Sequence, residues 1–218
     1  MDIFDILGPV MVGPSSSHTA GAARIGAMAR TLLGEEVADA KLHLYGSFAE
    51  TGKGHGTDRA LVAGLLGMKP DDLRIPNAFE EAKKAGLRYT IDEIDLRDAH
   101  PNTAVLRLTS RTGRVLSMKA ASVGGGRIRV TEIDGVPADF GGDSNTLIIH
   151  NEDTPGCIAE VTTSLALRRI NIASMQVFRA GTGSYAVMVL ECDEPIPEEI
   201  AGELRSQPGI VKVTILNL

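Results

Sequence analysis

TLIIHNEDTPGCIAEVTTSLALRR, residues 146–169, holds a strand, a turn and a helix in immediate succession. TLIIHN is a short β-forming run, DTPG is a turn, and Ile158, Val161, Leu165 and Leu167 recur at a loosely helical spacing. Downstream, INIASMQVFRA reads as a strand, GTGS as a hairpin turn and YAVMVLECD as a second strand. PEEIAGELRSQPG then reads as a helix opened by Pro and closed by Pro-Gly, and IVKVTIL as a last strand. The order βαββαβ is the split ferredoxin-like unit, and it predicts a domain over residues 146–218. Just upstream, VPADFGGDSN (136–145) reads as a linker, which leaves residues 1–140 as a domain of their own.

Composition narrows the function. The 218 residues are 43% hydrophobic, ample for a packed core in each domain. Lys and Arg number 22 against 28 Asp and Glu, with the basic residues scattered, so a nucleic-acid partner is not expected. MDIFDILGPV has neither the basic start nor the apolar run of a signal peptide, and no stretch is long enough to span a bilayer, so the expectation is a cytoplasmic protein with no membrane contact. The apolar residues of that opening stretch can either pack in their own domain or anchor on a partner chain. The only two cysteines, Cys157 and Cys192, cannot supply a disulfide framework, and no metal site is expected in this chain.

The first region reads as an α/β arrangement with a mixed or largely antiparallel sheet, so that the chain as a whole is α+β. AKLHLYGS alternates as a strand, NAFEEAKKAG reads as a helix, and LRYTIDEID, NTAVLRLTS, VLSMKAASVGG and RIRVTEIDG read as strands. Two polar segments stand out. GPSSSHTAGAARIGAMAR (13–30) crowds Ser15, Ser16, Ser17, His18 and Thr19 in front of a helix opening near Ser17, where one capping residue would suffice. In FAETGKGHGTDRALVAGLLGM (48–68), Gly52, Gly54 and Gly56 loosen a loop around Lys53 and His55 before Thr57 or Asp58 caps a helix. GKGHGTD lacks the P-loop spacing, and GGG at 124–126 is followed by a strand, so neither predicts nucleotide binding. An anion or amino-acid site built from helix starts, hydroxyls and Lys53 remains. His43, His100 and His150 sit in strand or turn patterns and read as structural. His18 and His55 have small neighbours that leave their rings open, although a histidine at a helix start often only bonds the backbone.

NEDTPGCIAEV resembles the opening of ACT domains, the small regulatory modules of amino-acid metabolism. D-T-P-G alone is also an ordinary strand-to-helix turn; the βαββαβ order around it favours the ACT reading. The resemblance implies an allosteric ligand at Asn151, Asp153, Thr154, Pro155 and Gly156, and self-association through ACT domains. GPSSSHTAGAARIGAMAR together with GSFAETGKGHGTD resembles the β chains of bacterial iron–sulfur-dependent L-serine dehydratases, and the resemblance spans the whole chain. It implies an N-terminal domain like the allosteric substrate-binding domain of some D-3-phosphoglycerate dehydrogenases. It also implies L-serine as substrate and an α subunit that carries a four-iron four-sulfur cluster, one iron of which polarises the departing hydroxyl. On that resemblance, His18 and His55 are the catalytic candidates, with His55 preferred for proton abstraction and His18 for orientation or the leaving hydroxide. Ser15, Ser16, Ser17, Thr19 and Lys53 are the substrate-binding candidates. Two other classes stay open at this point: an amino-acid-sensing protein without chemistry, and a regulatory fragment of a dehydrogenase.

Overall fold

The computed structural model describes residues 10–181 and 183–217. The opening MDIFDILGP and Thr182 of the GTGS turn lie outside the described residues. The chain divides into two compact units, one ending at Asp134 and the other starting at Gly135.

The first unit is a twisted sheet under a layer of helices. A π turn (Ser16–Gly21) runs directly into α1 (Ala22–Leu33); β1 (Val37–Tyr45), α2 (Ser47–His55), α3 (Thr57–Leu65), a 3₁₀ turn (Ile75–Asn77) and α4 (Ala78–Ala85) follow. Then come β2 (Arg88–Glu93), β3 (Thr103–Ser110), β4 (Val115–Gly124) and β5 (Arg127–Ile133). The strand order is β2-β1-β3-β4-β5. β1 and β2 are parallel, joined by the helical crossover that such a pair requires, and every other pairing is antiparallel. β3 shows why one face is covered: Ala104, Leu106 and Leu108 are buried while Arg107 between them is exposed, the period-two pattern of a half-buried strand.

Close helix packing holds this unit together. α1 crosses α3 at Gly26 and Gly64: a Cβ on Gly26 would stand 2.3 Å from the Leu61 carbonyl, and one on Gly64 would stand 2.1 Å from that of Ala23. Only hydrogen fits at either position. The crossing brings the start of α3 alongside the turn that precedes α1. The same device seats that turn on the sheet, since a Cβ on Gly21 would stand 2.1 Å from Ser122 Oγ on β4.

The second unit opens with β6 (Val136–Phe140). It continues through β7 (Asn145–Glu152), α5 (Cys157–Leu167), β8 (Ile172–Arg179), β9 (Tyr185–Cys192), α6 (Glu198–Arg205) and β10 (Ile210–Leu216). Its sheet has the order β10-β7-β9-β8, antiparallel throughout, which is the ferredoxin-like βαββαβ arrangement. Leu147 and Ile149 of β7, Val161 and Leu165 of α5, and Ile200 and Leu204 of α6 form its core.

Three local expectations need correction. VPADF is a strand and not linker: Val136, Ala138 and Phe140 are buried in alternation with more open Pro137 and Asp139, and the Pro/Asp/Gly composition hid that period. The glycine-rich segment after residue 46 is a helix and not a loop. Its packing, with Phe48 fully buried, outweighs the low propensity of Gly52 and Gly54. Neither Thr57 nor Asp58 caps the next helix: Gly56, at φ +71°, ends α2 and starts α3, and the Asp58 carboxylate accepts from the Arg59 N–H at 2.8 Å.

Candidate functional site

Ser15 is the single cap of the polar cluster. Its hydroxyl accepts from the His18 backbone N–H at 3.2 Å and lies 3.4 Å from His18 Nδ1. The other hydroxyls are therefore surplus to capping. The turn they ride on has the wider π pitch, a local irregularity that recurs at functional sites. Ser16, Ser17 and His18 are half-buried, and no hydrogen bond ties the hydroxyls of Ser16 and Ser17 to other described residues.

Helix α2 supplies the other wall. Ser47, Thr51 and His55 recur at four-residue intervals and share one stripe of the helix. That stripe meets the π turn, because His18 Nε2 lies 3.1 Å from Ser47 Oγ and the His18 and His55 ring centroids are 5.0 Å apart. Phe48 closes the inner side, its ring edge-on to His18 at 5.4 Å. Thr19, which is buried, donates its hydroxyl to the His55 carbonyl at 3.2 Å and so ties the two segments together. Lys53 lies on the same helix; its side chain is outside the described part of the structure.

The two imidazoles have different surroundings. His18 has hydroxyls at both ring nitrogens, and burial lowers its pKa below the ordinary histidine value. A hydrogen bond from the ring to the Ser47 backbone opposes that shift and the neighbouring His55 adds to it. Burial thus favours the uncharged form of a ring held in place at both nitrogens. His55 is exposed at the end of α2, beside glycines that leave its approach open. The pair offers a fixed imidazole next to an accessible one, a geometry suited to moving a proton at a bound substrate.

In the second unit, Thr154, Pro155 and Gly156 line a cavity of about 300 Å³ with Cys157 and the turn from Gln207 to Ile210, and Glu152 and Glu160 add two carboxylates. Asp153 is drawn aside to Arg179 at 3.1 Å and the Gly183 N–H at 3.2 Å, and Arg179 holds its carboxyl below the usual range. Asn151 is buried in β7 and does not line the cavity; its Nδ2 donates to the Glu152 carbonyl, and its Oδ1 has no hydrogen-bond partner among the described residues. Gln207 and Glu160 also belong to this wall, and no sequence signal marks them, since nothing local links two segments so far apart in the chain.

Comparison with known proteins gives the setting. The serine dehydratase beta chain family profile matches residues 1–96 and the ACT domain profile matches residues 145–209. The chain is 43% identical over 212 residues to the probable L-serine dehydratase beta chain of Bacillus subtilis, covering 97% of this chain and 96% of that one. It is 38% identical over 198 residues to the L-serine dehydratase beta chain of Peptoniphilus asaccharolyticus, covering 90% and 89% respectively. A D-3-phosphoglycerate dehydrogenase of Bacillus subtilis is 28% identical over 198 residues, but only 37% of its length takes part. The beta-chain relationships run nearly end to end and keep the two units in the same order, and on that ground this chain belongs to the L-serine dehydratase beta-chain family.

Proposed function

We propose that this chain is the β subunit of a cytoplasmic L-serine ammonia-lyase that converts L-serine to pyruvate and ammonia together with an α subunit holding a four-iron four-sulfur cluster. The observation that carries the reading is the paired His18 and His55 at the mouth of α1, in a chain related end to end to L-serine dehydratase beta chains. The chain's own residues do not fit the cluster: among the described residues no three His, Cys, Asp or Glu side chains could hold a metal, and both cysteines are buried in the second unit. No helix among the described residues is long and apolar enough to cross a membrane.

A cluster held by the α subunit would supply Lewis-acid chemistry for the departing hydroxyl. Proton handling falls to this chain. His55, exposed and unobstructed, takes the α proton. His18, bonded at both ring nitrogens, orients the reacting groups or assists the leaving hydroxide. Ser16 and Ser17, with Lys53 on α2, bind the serine carboxylate at the π turn. Ser15 and Thr19 act one step back, capping the turn and holding the His55 backbone.

Thr154, Pro155 and Gly156 form the allosteric ligand wall of the ACT unit, with Asp153 fixing the adjoining turn through Arg179 and the Gly183 N–H; that unit also mediates self-association. The test is an anaerobic assay of pyruvate formation with this chain, a Cys-rich α chain, and both together after cluster reconstitution. Turnover only in the mixture supports the reading. A mixture with an intact cluster and no turnover overturns it and leaves an amino-acid sensor.

A further inference from the structure

Helix α2 has a second side. Ala49 and Gly52 face away from His18 into a cavity of about 320 Å³ in the first unit, between α2 and the inner face of the edge strand β2. Leu44 and Ile91 form its floor. Phe79 of α4 and Tyr89 of β2 form an aromatic wall, their rings stacked at 5.4 Å and 26°. Arg59 lies over the same Phe79 ring, 5.8 Å from its centroid.

Among the described residues the charged side chains of the lining are of one sign: Asp58 and Glu93 place carboxylates at the cavity, while Asp92, in register with His43, alternates to the other face of β2. They do not converge as a chelate, since no group of three such side chains among the described residues could hold a metal ion. The negative field is felt at the aromatic wall, where burial, Asp58 and Glu80 all raise the pKa of the Tyr89 hydroxyl. At the inner end a Cβ on Gly52 would stand 3.6 Å from Leu44 Cδ1, ordinary contact that closes the cavity there.

Spread carboxylates, an aromatic wall and an apolar floor select a particular ligand chemistry. A point cation leaves most of this lining unused, and an anion is repelled. We infer that this cavity is an effector site for an organic ammonium ion with an apolar body, and that its occupancy braces α2, whose opposite stripe carries Ser47 and His55. α2 is the element most in need of bracing, with Gly52 and Gly54 among its nine residues.

The probe is n-hexylammonium, with hexanoate at equal ionic strength as the reversed-charge control, titrated into the full chain and followed residue by residue by amide NMR. The expected result is saturable shifts at Ala49, Gly52, Phe79, Tyr89 and Ile91, at least tenfold weaker binding of hexanoate, and amide exchange in α2 slowed several-fold at saturation. Asp58→Asn with Glu93→Gln should weaken hexylammonium at least fivefold, while Asp71→Asn outside the cavity should not. If the double variant does not fold by circular dichroism, Glu93→Gln alone, at the exposed end of β2, is read in its place. Equal affinity for hexanoate, shifts scattered over the surface, affinity unchanged in the cavity variants, or binding without protection of α2 would each overturn the inference. Neither readout uses turnover, so failure of the lyase reading leaves this test intact.

Discussion

His18 and His55 lie ring to ring, yet one is enclosed by hydroxyls and the other is open. That difference predicts different consequences of replacement. In the assembled two-chain enzyme, His55→Asn should lower kcat on the order of 10²- to 10⁴-fold with assembly unchanged, as loss of a proton-transferring group does. Retained turnover would remove His55 from the chemistry. His18 should titrate below the ordinary histidine value of about 6.5 in an NMR pH series, because burial disfavours its charged form. Ser15 caps the turn that carries His18. Ser15→Ala should cost about 1 kcal/mol in denaturant unfolding, the usual loss for an N-cap hydroxyl.

α1 and α3 touch through backbone, and α2 carries two glycines where packing, not propensity, keeps it helical. Substitution to alanine should therefore act in opposite directions on the two. Gly64→Ala forces a methyl group against the Ala23 carbonyl and should destabilise by about 1–3 kcal/mol or more, as overpacking does. Gly52→Ala meets nothing nearer than 3.6 Å and should stabilise α2 by up to about 1 kcal/mol. Thermal melts of the two variants against the parent give the signs directly. If Gly64→Ala proves neutral, the helices are not in contact at that point.

Stability of the protein should depend on pH through one buried histidine. His150 on β7 is 1% exposed and bonded to the Tyr185 hydroxyl through Nδ1; burial, with Lys212 adding, lowers its pKa from 6.5 to about 4. The unfolded chain therefore binds the proton more readily between those values, and the native state is favoured above pH 6.5 and progressively less as pH falls towards 4. Integrated between about pH 7 and about pH 5, the loss is about 2 kcal/mol. Urea unfolding at the two pH values measures it, and a His150→Gln variant should flatten the dependence; an unchanged slope in the variant would assign it to other groups.

Periodicity made the βαββαβ order of the second unit legible, as it did the strands from Arg88 to Ile133, because alternation and turn residues are local properties of the chain. SSSHT and GKGHG marked themselves as polar excess beyond capping needs. Their meeting could not be read, since the two histidines approach only where the Gly26–Gly64 crossing draws α1 and α3 together, and nothing local encodes a distance between segments so far apart in the chain. The helical state of α2 was hidden for the same reason: two glycines in nine residues argue for a loop until Phe48 is buried. The acidic aromatic cavity on its reverse side is assembled from β1, α2, α3, α4 and β2, which lie apart in the chain. Local chemistry is written along the chain, whereas enclosure, close approach and the pairing of distant groups arise only when the core excludes water and the elements pack.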